Sequence, residues 1–484
     1  MKEVYSFKPL IPVLITLFTV FFIIFSRKRP NLREFWSILG SSLTFFSVLL
    51  MIKEVAEGKI LFFRLSQIGP GLSFFFRVDG LSLIFGLVSS FLWILASFYN
   101  IGYMRSLNEH AQTRYYACFT SAILGAQGVA YAGSLLTLYL FYEIITVVTY
   151  PLVAHHQDKE AYEAGKKYLF YLMGTSKGLL LPAMALTYVF CGTLDFSLSI
   201  QEGLFSQKDF WVSLTYWFFI LGFAKAAIMP LHNWLPTAMV APTPVSALLH
   251  AVAVVKAGVF SIVRVMLSVF GLAFLGETGL GVLTAYFVSI TIIVASVIAL
   301  TKDDLKERLA YSTISQLSYV VLGVSLLLPQ GVEGGVFHIL AHALGKITLF
   351  FCAGAIYVAH HKKKISELGG IGYKMPFTMG AFALASLSMI GVPPVGGFVS
   401  KYFMLQGAMG IGEMGIMVVL LSSSLLNAGY FAPITFRAFF EGEGRFQLKE
   451  APLWMVIPLC VTALLSIFVG VWPDPFISLM RRLG

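Results

Sequence analysis

Long apolar runs alternate with short polar or Gly/Pro-containing breaks along the whole chain. A helix needs roughly 18–22 residues to cross the hydrocarbon core of a membrane. Runs close to that length recur from end to end, for example at 9–25, 81–100, 168–190, 211–229, 279–300 and 455–471. The pattern predicts an all-α integral membrane protein with about 14 transmembrane helices and no sizeable soluble domain.

The distribution of positive charge predicts how the helices are oriented. Hydrophobic residues make up 58% of the 484 residues and charged residues only 12%, so the net charge of +10 indicates membrane topology and not nucleic-acid binding. Lysine and arginine cluster after predicted helices one, three, five, nine and eleven, at 27–33, 105–114, 159–167, 302–308 and 362–364. These loops would be cytoplasmic and both termini external, in the cell membrane. The basic loop at 53–77 is an exception to this pattern.

Motifs for cofactors, metals or nucleotides are missing from the sequence. Cys118, Cys191, Cys352 and Cys460 stand singly, without the C-x-x-C spacing of iron–sulfur or zinc sites. There is also no phosphate-binding glycine loop and no H-E-x-x-H. We therefore expect no cofactor and no metal in this chain, and energy supplied by an ion gradient or a partner subunit. The first apolar run precedes basic residues 27–29 without a cleavage signal, which predicts a retained helix.

Several ionisable residues lie inside or beside the apolar runs. A charge near the membrane centre costs about 2.5–3.5 kcal/mol, so such residues are usually functional or paired. They are Glu143, Lys177, Lys225, Lys256, Lys346 and Lys401. Alternatives remain, since Glu143 could be a structural partner for a lysine, Lys177 could have a structural role, and long lysine side chains can reach the interface. Arg264 and Arg437, nearer the ends of their runs, are interpreted as interfacial anchors.

Histidines add a second signal of proton transfer. His338, His342 and Lys346 recur every four residues and therefore share one face of a helix. Histidine changes charge near neutral pH and suits proton transfer, although buried structural histidines or a metal-binding pair would share this spacing. His250 lies six residues before Lys256 and faces another side of the helix.

Two stretches combine proline and glycine with a lysine inside apolar sequence. They are residues 225–236, which include Lys225, His232 and Pro236, and residues 391–401, which end at Lys401. Broken helices expose main-chain carbonyl and amide groups at membrane depth, which is tolerated where protein or a hydrated cavity satisfies them. The breaks thus predict an ion path, with simple proline kinks in packed helices as the alternative.

A set of sequence motifs now supports a family resemblance. The motifs are Val78-Asp79-Gly80-Leu81-Ser82, Tyr142-Glu143, the stretch from Phe223 to His250, and the stretch from His338 to Lys346. Together they resemble the antiporter-like subunits shared by complex I, Mrp-type cation/proton antiporters and membrane-bound hydrogenases. The resemblance implies two inverted five-helix repeats, spans 4–8 and 9–13, each with one broken helix. The expected divisions are 1–110 for helices 1–3, 111–275 and 276–445 for the repeats, and 446–484 for helix 14.

The resemblance also implies roles for individual residues. Glu143 and Lys225 would form an acid–base pair, Lys256 would connect the halves, and Lys401 would match the terminal residue of the second broken helix. His338, His342 and Lys346 would form the second-half relay. The remaining relay candidates are His250, His232 and Lys177. Some family members have glutamate at the position of Lys401, which leaves open which group this chain follows.

The predicted function is that of an ion-translocating subunit with no redox or hydrolytic centre of its own. It would move H⁺, Na⁺ or both in a membrane-bound hydrogenase-type or related respiratory complex. Lysine and histidine suit protons, whereas Na⁺ would need a cluster of oxygen ligands. Expected partners are other membrane subunits, including antiporter-like ones, and a nickel–iron or iron–sulfur module. The alternatives are a subunit of an Mrp-type Na⁺/H⁺ antiporter, a self-sufficient exchanger and a structural scaffold.

Overall fold

The computed structural model describes residues 2–206, 208–442 and 447–481. Within these ranges, ten helical stretches are long and apolar enough to cross a membrane. They are Lys8–Phe25, Pro30–Ala56, Gly80–Ser106, Leu135–Val153, Lys159–Cys191, Thr243–Phe270, Leu280–Thr301, Pro329–His360, Met414–Phe440 and Leu453–Val471. Two shorter apolar helices, Phe210–Gly222 and Pro376–Ile390, stand next to the two predicted breaks. The chain is therefore a multi-pass, mostly helical membrane protein.

The N-terminal part combines long helices with a small sheet. In chain order its elements are β1 (Lys2–Tyr5), α1 (Ile11–Phe25), α2 (Pro30–Leu49), α3 (Ile52–Ala56), β2 (Lys59–Gly69), β3 (Leu72–Val78) and α4 (Gly80–Ser106). The side chain of Asp79 caps α4 by accepting a hydrogen bond from the amide of Ser82 at 2.9 Å.

The three-stranded sheet corrects the all-α prediction. β1 pairs with β2 in parallel, and β2 pairs with β3 as an antiparallel hairpin. The hairpin sequence is rich in phenylalanine, leucine and isoleucine and turns at Gly69-Pro70-Gly71, a combination that favours strands over a helix. Gly71 has φ +65°, and a Cβ there would lie 2.1 Å from the carbonyl oxygen of Gly192, so a side chain at this position would not fit.

The middle of the chain contains the first helix break. Its helices are α5 (Gln112–Ala130), α6 (Leu135–Val153), α7 (Lys159–Thr175), α8 (Leu181–Cys191), α9 (Phe210–Gly222), α10 (Trp234–Thr237), α11 (Thr243–Ala247), α12 (Val254–Val265) and α13 (Leu272–Glu277). Short π-helical segments at Ser176–Leu180, Leu248–Val252 and Met266–Phe270 continue α7, α11 and α12. Such π segments are rare and frequently occur at functional sites.

The last part of the chain contains the second break. Its helices are α14 (Leu280–Thr301), α15 (Leu305–Ser325), α16 (Pro329–His360), α17 (Ile371–Lys374), α18 (Pro376–Ile390), α19 (Gly396–Gly410), α20 (Met414–Phe440), α21 (Leu453–Val471) and α22 (Asp474–Met480). α16 is 32 residues long, packs against α15, α18, α19 and α21, and is buried along nearly its whole length. It forms the centre of this half of the molecule.

Basic loops gather at one end of the molecule. A cleft of about 1150 Å³ lies there, and its lining includes residues within 103–109, 156–167, 233–243, 302–307 and 362–363. The sheet lies at the opposite end, where β3 packs beside the start of α6. The basic segment 53–77, which does not follow the charge pattern of the other loops, belongs largely to this sheet. Its positive charges are partly balanced by carboxylates, since Lys59 contacts Glu57 at 2.7 Å and Arg77 contacts Asp79 at 3.4 Å.

A buried ion pair joins the sheet to α12. Arg264 donates to both carboxylate oxygens of Asp79, at 2.6 and 2.9 Å, and to the hydroxyl of Ser82 at 2.9 Å. Arg77 also donates to carbonyl oxygens of Phe196 and Ser197. Arg264 is only 3% exposed, so its interpretation as an interfacial anchor was wrong. The cause is Asp79, distant in sequence, which the fold brings against α12.

We predict that Asp79→Asn destabilises the protein strongly. Removing one member of a buried, bidentate pair leaves an uncompensated buried charge and costs about 3–5 kcal/mol. Thermal unfolding of the purified protein in detergent measures this loss. The matched control is Lys166→Gln, which removes an ion pair with Glu163. The two side chains of this pair are 67% and 62% exposed, so the melting temperature of the control variant should equal that of the wild type. Equal melting of Asp79→Asn and wild type would contradict the prediction.

Candidate functional site: a chain of buried lysines and histidines

The first helix break positions Lys225 in the protein interior. α9 ends at Gly222, and Lys225 lies in a single 3₁₀ turn, Ala224–Ala226, that ends at Ala227 with φ +55°. α12 packs directly on this turn, because a Cβ on Gly258 would lie 2.2 Å from the amide nitrogen of Ala226. Lys225 is fully buried, so the sequence alternative of an interfacial lysine does not apply to it.

Lys225 is held by α6 through neutral oxygen atoms. Its Nζ donates to the carbonyl oxygen of Tyr142 at 2.8 Å and to the hydroxyl of Thr146 at 2.7 Å. The ammonium group also lies 3.1 Å from the ring centroid of Tyr142, a cation–π contact. Tyr142 and Thr146 are four residues apart and share one helix face, which explains why both reach the same lysine.

Glu143 faces a different neighbour from the one predicted. Its Oε2 lies 3.4 Å from Nζ of Lys177, on the π-helical segment after α7, and it forms no ion pair with Lys225 within 4.0 Å. Successive residues of a helix point about 100° apart, so Glu143 turns away from the face used by Tyr142 and Thr146. The Lys177 side chain is 53% exposed, and Oε1 of Glu143 is buried without a hydrogen-bond partner in the described ranges.

Lys256 links α12 to α16. Its Nζ donates to the carbonyl oxygen of Ile339 at 2.9 Å and lies 2.8 Å from Nδ1 of His342, both on α16. A charged or neutral lysine can donate here if Nδ1 is the unprotonated nitrogen of the ring. The other ring nitrogen of His342 is buried and has no partner among the described residues, so it remains available to a water molecule.

A hydrogen-bonded chain continues from the histidines to Lys401. The rings of His338 and His342 lie 6.0 Å apart, and Nε2 of His338 lies 3.0 Å from Oε1 of Gln316. Gln316 in turn donates to the carbonyl oxygen of Met389, which also accepts from Lys401 at 2.9 Å. Nδ1 of His338 lies 2.8 Å from the Ser400 hydroxyl, so neither ring nitrogen is free for the alternative metal pair.

The second break is built around Lys401. α18 ends at Ile390, and Nζ of Lys401 donates to the last carbonyl oxygens of that helix, on Met389 and Ile390, each at 2.9 Å. A cation is stabilised at a helix C-terminus by the dipole and by the unpaired carbonyl groups. Gly391 has φ +91°, and a Cβ there would lie 2.8 Å from the side chain of Lys401, so the turn needs glycine.

The remaining candidates lie beside this chain. Lys346 is fully buried and donates to the carbonyl oxygen of Leu309 at 3.0 Å. His250 is also fully buried, stacks on Phe350, and has no hydrogen-bond partner for either nitrogen among the described residues. His232 is partly buried near Tyr311, at the edge of the first break.

Polar residues that the sequence analysis did not single out complete the site. Gln316 bridges His338 to the second break, and Asn427 donates to the same Met389 carbonyl at 3.2 Å. Tyr430 contacts both Asn427 and the hydroxyl of Ser312. An amide or a serine in an apolar helix is a weaker signal than a charge, because its burial is much less costly and needs no special explanation.

The family of the chain follows from its sequence. Residues 132–427 match the family described as NADH:quinone oxidoreductase/Mrp antiporter, transmembrane. Subunit N of NADH-quinone oxidoreductase from Desulforudis audaxviator is 31% identical over 427 residues, which cover 82% of this chain and 83% of that protein. The chain therefore belongs to this family of membrane subunits.

Solved structures agree with this membership. A chain of the Mrp complex from Dietzia sp. has 19% identity and a TM-score of 0.88, covering 99% of this chain and 97% of its own. A chain of the membrane-bound sulfane sulfur reductase, an archaeal respiratory membrane complex, has 25% identity and a TM-score of 0.87, covering 98% and 96%. The protein is an antiporter-like, ion-transporting membrane subunit of the type found in complex I, Mrp and related assemblies, as the motifs indicated.

We predict that the stability of the protein depends more on the hydrogen-bond acceptor that His342 offers to Lys256 than on the shape of the His342 side chain. His342→Leu removes a hydrogen-bond partner of buried Lys256, and an unsatisfied buried polar group costs about 1–3 kcal/mol. His342→Gln keeps an acceptor and should lose less stability. Thermal unfolding in detergent compares the two variants. Equal losses would indicate that this ring does not hold Lys256.

Proposed function

We propose that the chain carries protons across the membrane along Glu143, Lys225, Lys256, His342, His338 and Lys401. The observation that carries the proposal is the pairing of buried lysines with neutral oxygen and nitrogen acceptors. A carbonyl oxygen accepts a hydrogen bond from either an ammonium group or a neutral amine, so it does not require the lysine to stay charged. A proton can therefore leave or return without breaking the site.

Glu143 acts as the switch in this mechanism. It lies beside Lys177, one position after Tyr142 and three positions before Thr146, the two residues that hold Lys225. A carboxylate stabilises a nearby ammonium group, whereas its withdrawal in a low-dielectric site favours the neutral amine. When Glu143 moves towards Lys225 that lysine takes up a proton, and when Glu143 pairs with Lys177 the proton passes on towards Lys256. Each step is electrostatic and needs no covalent chemistry.

The second half of the path has two branches. One runs from His342 to His338 and on to Lys401, with water molecules carrying the proton between these titratable groups. Gln316 and Ser400 hold the His338 ring in place, and the Met389 carbonyl, which accepts from both Gln316 and Lys401, passes no proton itself. The other branch includes Lys346 and His250. His250 follows Thr243, which lines the basic cleft, by seven residues, or about two helical turns. The cleft would give these groups contact with water. His232, at the edge of the first break, would likewise connect Lys225 with water.

Fourteen membrane crossings fit the order of the helices. Beyond the ten long stretches, α5 and α15 have 19 and 21 residues, and each helix break adds one crossing made of two short helices. This arrangement supports two repeats of five crossings each. It would place the basic loops in the cytoplasm and both termini outside the cell membrane.

The partner complex is best described as a respiratory one. The sulfane sulfur reductase chain combines the higher identity of the two structural neighbours with nearly full coverage, which favours a membrane-bound hydrogenase-type or related complex with a redox module. The Mrp chain has a slightly higher TM-score and supports the alternative, a Na⁺/H⁺ antiporter subunit without a redox module. Protons are favoured over Na⁺ as the ion because the site consists of lysine and histidine.

A structural scaffold is the alternative from another class. Vestigial charges would be expected to lose partners or to be replaced, since each is costly in a membrane. Here Lys225, Lys256, Lys346 and Lys401 each have at least one acceptor within 3.0 Å. The presence of a close hydrogen-bond acceptor at each buried lysine favours a transport function over a structural scaffold.

We predict that Lys225→Ala and Glu143→Ala abolish coupled ion movement. The measurement is ion uptake by sealed vesicles that contain the native complex with each variant. Assembly should stay intact, as judged by co-purification of the other subunits. The control is Lys166→Ala, an exposed lysine that also pairs with a glutamate and should transport normally. Normal transport by both test variants would exclude the relay and favour the scaffold.

A milder variant tests the neutral acceptors of Lys225. Thr146→Val removes one of two hydrogen-bond acceptors at nearly constant shape, a loss of about 1.5–3 kcal/mol that corresponds to a roughly ten- to hundredfold slower rate. Thr187→Val is the matched control, because in the described part of the chain the hydroxyl of this buried threonine donates to Ala183 of its own helix. Equal rates for the two variants in the same vesicle assay would contradict the role of Thr146.

The companion subunits decide between the complexes. Purification of the native complex with mild detergent, followed by identification of its subunits, should yield a nickel–iron or iron–sulfur protein. Recovery of small cation/proton exchanger subunits alone would favour the Mrp alternative. Transport by the purified chain without any companion would favour a self-sufficient exchanger.

A further inference from the structure

A group of histidines surrounds one carboxylate at the basic end of the molecule, away from the relay. Glu109 and His110 lie in the loop between α4 and α5, and His155 and His156 follow the end of α6. Oε2 of Glu109 lies 3.5 Å from Nε2 of His155 and 4.0 Å from Nδ1 of both His110 and His156. The donor atoms of Glu109, His110 and His155 all lie within 4.8 Å of one another.

His155 is the buried member of this cluster. It is 0% exposed, and neither of its ring nitrogens has a hydrogen-bond partner among the described residues. Its main-chain carbonyl accepts from Arg114 at 3.0 Å, and its ring packs edge-on against Tyr115. Both neighbours belong to the first turn of α5, so the position of the ring is fixed, while neither nitrogen forms a hydrogen bond within the described ranges.

The other donors provide access from water. The side chains of His110 and His156 are 47% and 37% exposed, whereas that of Glu109 is 11% exposed. Glu109 and His156 also line the basic cleft. An ion from solution can therefore reach the carboxylate between the two outer rings.

We propose that Glu109, His110, His155 and His156 form a binding site for a divalent transition metal such as Zn²⁺. Zinc prefers four nitrogen, sulfur or carboxylate ligands in a tetrahedron, at about 2.0–2.2 Å from the metal. Ligand atoms of such a site lie about 3.4 Å from one another. The donor atoms of Glu109, His110 and His155, all within 4.8 Å of one another, would contract around the metal, and His156, 4.0 Å from Oε2 of Glu109, would move in as the fourth ligand.

The competing interpretation is a carboxylate that binds protonated histidines. It would place up to three positive rings around one negative charge, at the edge of a cleft that Lys306 and Lys362 also line. Like charges at such short separations repel. A charge-assisted hydrogen bond is also shorter, about 2.7–2.9 Å, than the 3.5 Å from His155. A metal satisfies the buried ring nitrogen with neutral histidines. The proposal differs from the expectation, drawn from the sequence, that the chain has no metal, because two adjacent pairs of residues about 45 apart in sequence carry no recognisable zinc-binding spacing.

The test is a Co²⁺ titration of the full-length protein in detergent, purified without a polyhistidine tag. Tetrahedral Co²⁺ absorbs visible light, so one equivalent should produce a visible band that one equivalent of Zn²⁺ removes. Glu109→Gln and His156→Gln should weaken Co²⁺ binding by about a hundredfold, because each removes a direct ligand. Thermal unfolding without metal checks that each variant is folded. His155→Gln extends the test to the buried ligand if it folds.

The control variant is His361→Asn, at a surface histidine of the same face with φ +55°, a conformation that asparagine adopts readily. It should bind Co²⁺ like the wild type. Absence of the visible band in the wild type would overturn the proposal. Unchanged binding by folded Glu109→Gln or His156→Gln, or an equal loss in His361→Asn, would also overturn it.

Discussion

An ammonium group inside a membrane protein needs hydrogen-bond acceptors, and in this chain most of those acceptors are main-chain carbonyl oxygens. Lys225, Lys256, Lys346 and Lys401 each donate to at least one carbonyl, and among the described residues none has a carboxylate within 4.0 Å of its Nζ. A carboxylate would hold each lysine in its charged form. Carbonyl oxygens satisfy the group in either form, so the lysines stay able to exchange protons.

The second helix break makes available the carbonyl groups that hold Lys401, whereas the other three lysines bond carbonyl oxygens inside α6, α16 and α15. Within an intact helix the carbonyl oxygens are already occupied by amide groups one turn ahead. At the end of α18 the carbonyls of Met389 and Ile390 are free to accept from Lys401, and the same Met389 oxygen receives Gln316 and Asn427. A single main-chain atom thereby links a lysine to the histidine chain. The second break therefore supplies the hydrogen-bond acceptors for Lys401, which a simple kink in a continuous helix would not do.

Charges with a structural role are built differently. Arg264 and Asp79 are nearly as buried as the lysines, yet they form a bidentate pair, and Asp79 also accepts from the amide of Ser82 and from Arg77. Such a pair is fixed in charge and fastens the sheet to α12. Direct pairing with a carboxylate therefore separates Arg264, which holds this fold together, from the buried lysines that we propose carry a proton.

The sequence by itself determined the membrane class, the two breaks, the family and most of the buried charged residues, because a charge or a proline in a long apolar run is costly wherever the run packs. The tertiary structure decided the partners. Adjacent helix positions point about 100° apart, so only packing could assign Glu143 to Lys177 and leave Lys225 to Tyr142 and Thr146. Gln316, the Asp79–Arg264 pair and the histidine cluster around Glu109 likewise unite residues distant in sequence. Their chemistry depends on distances between helices, which no local pattern contains.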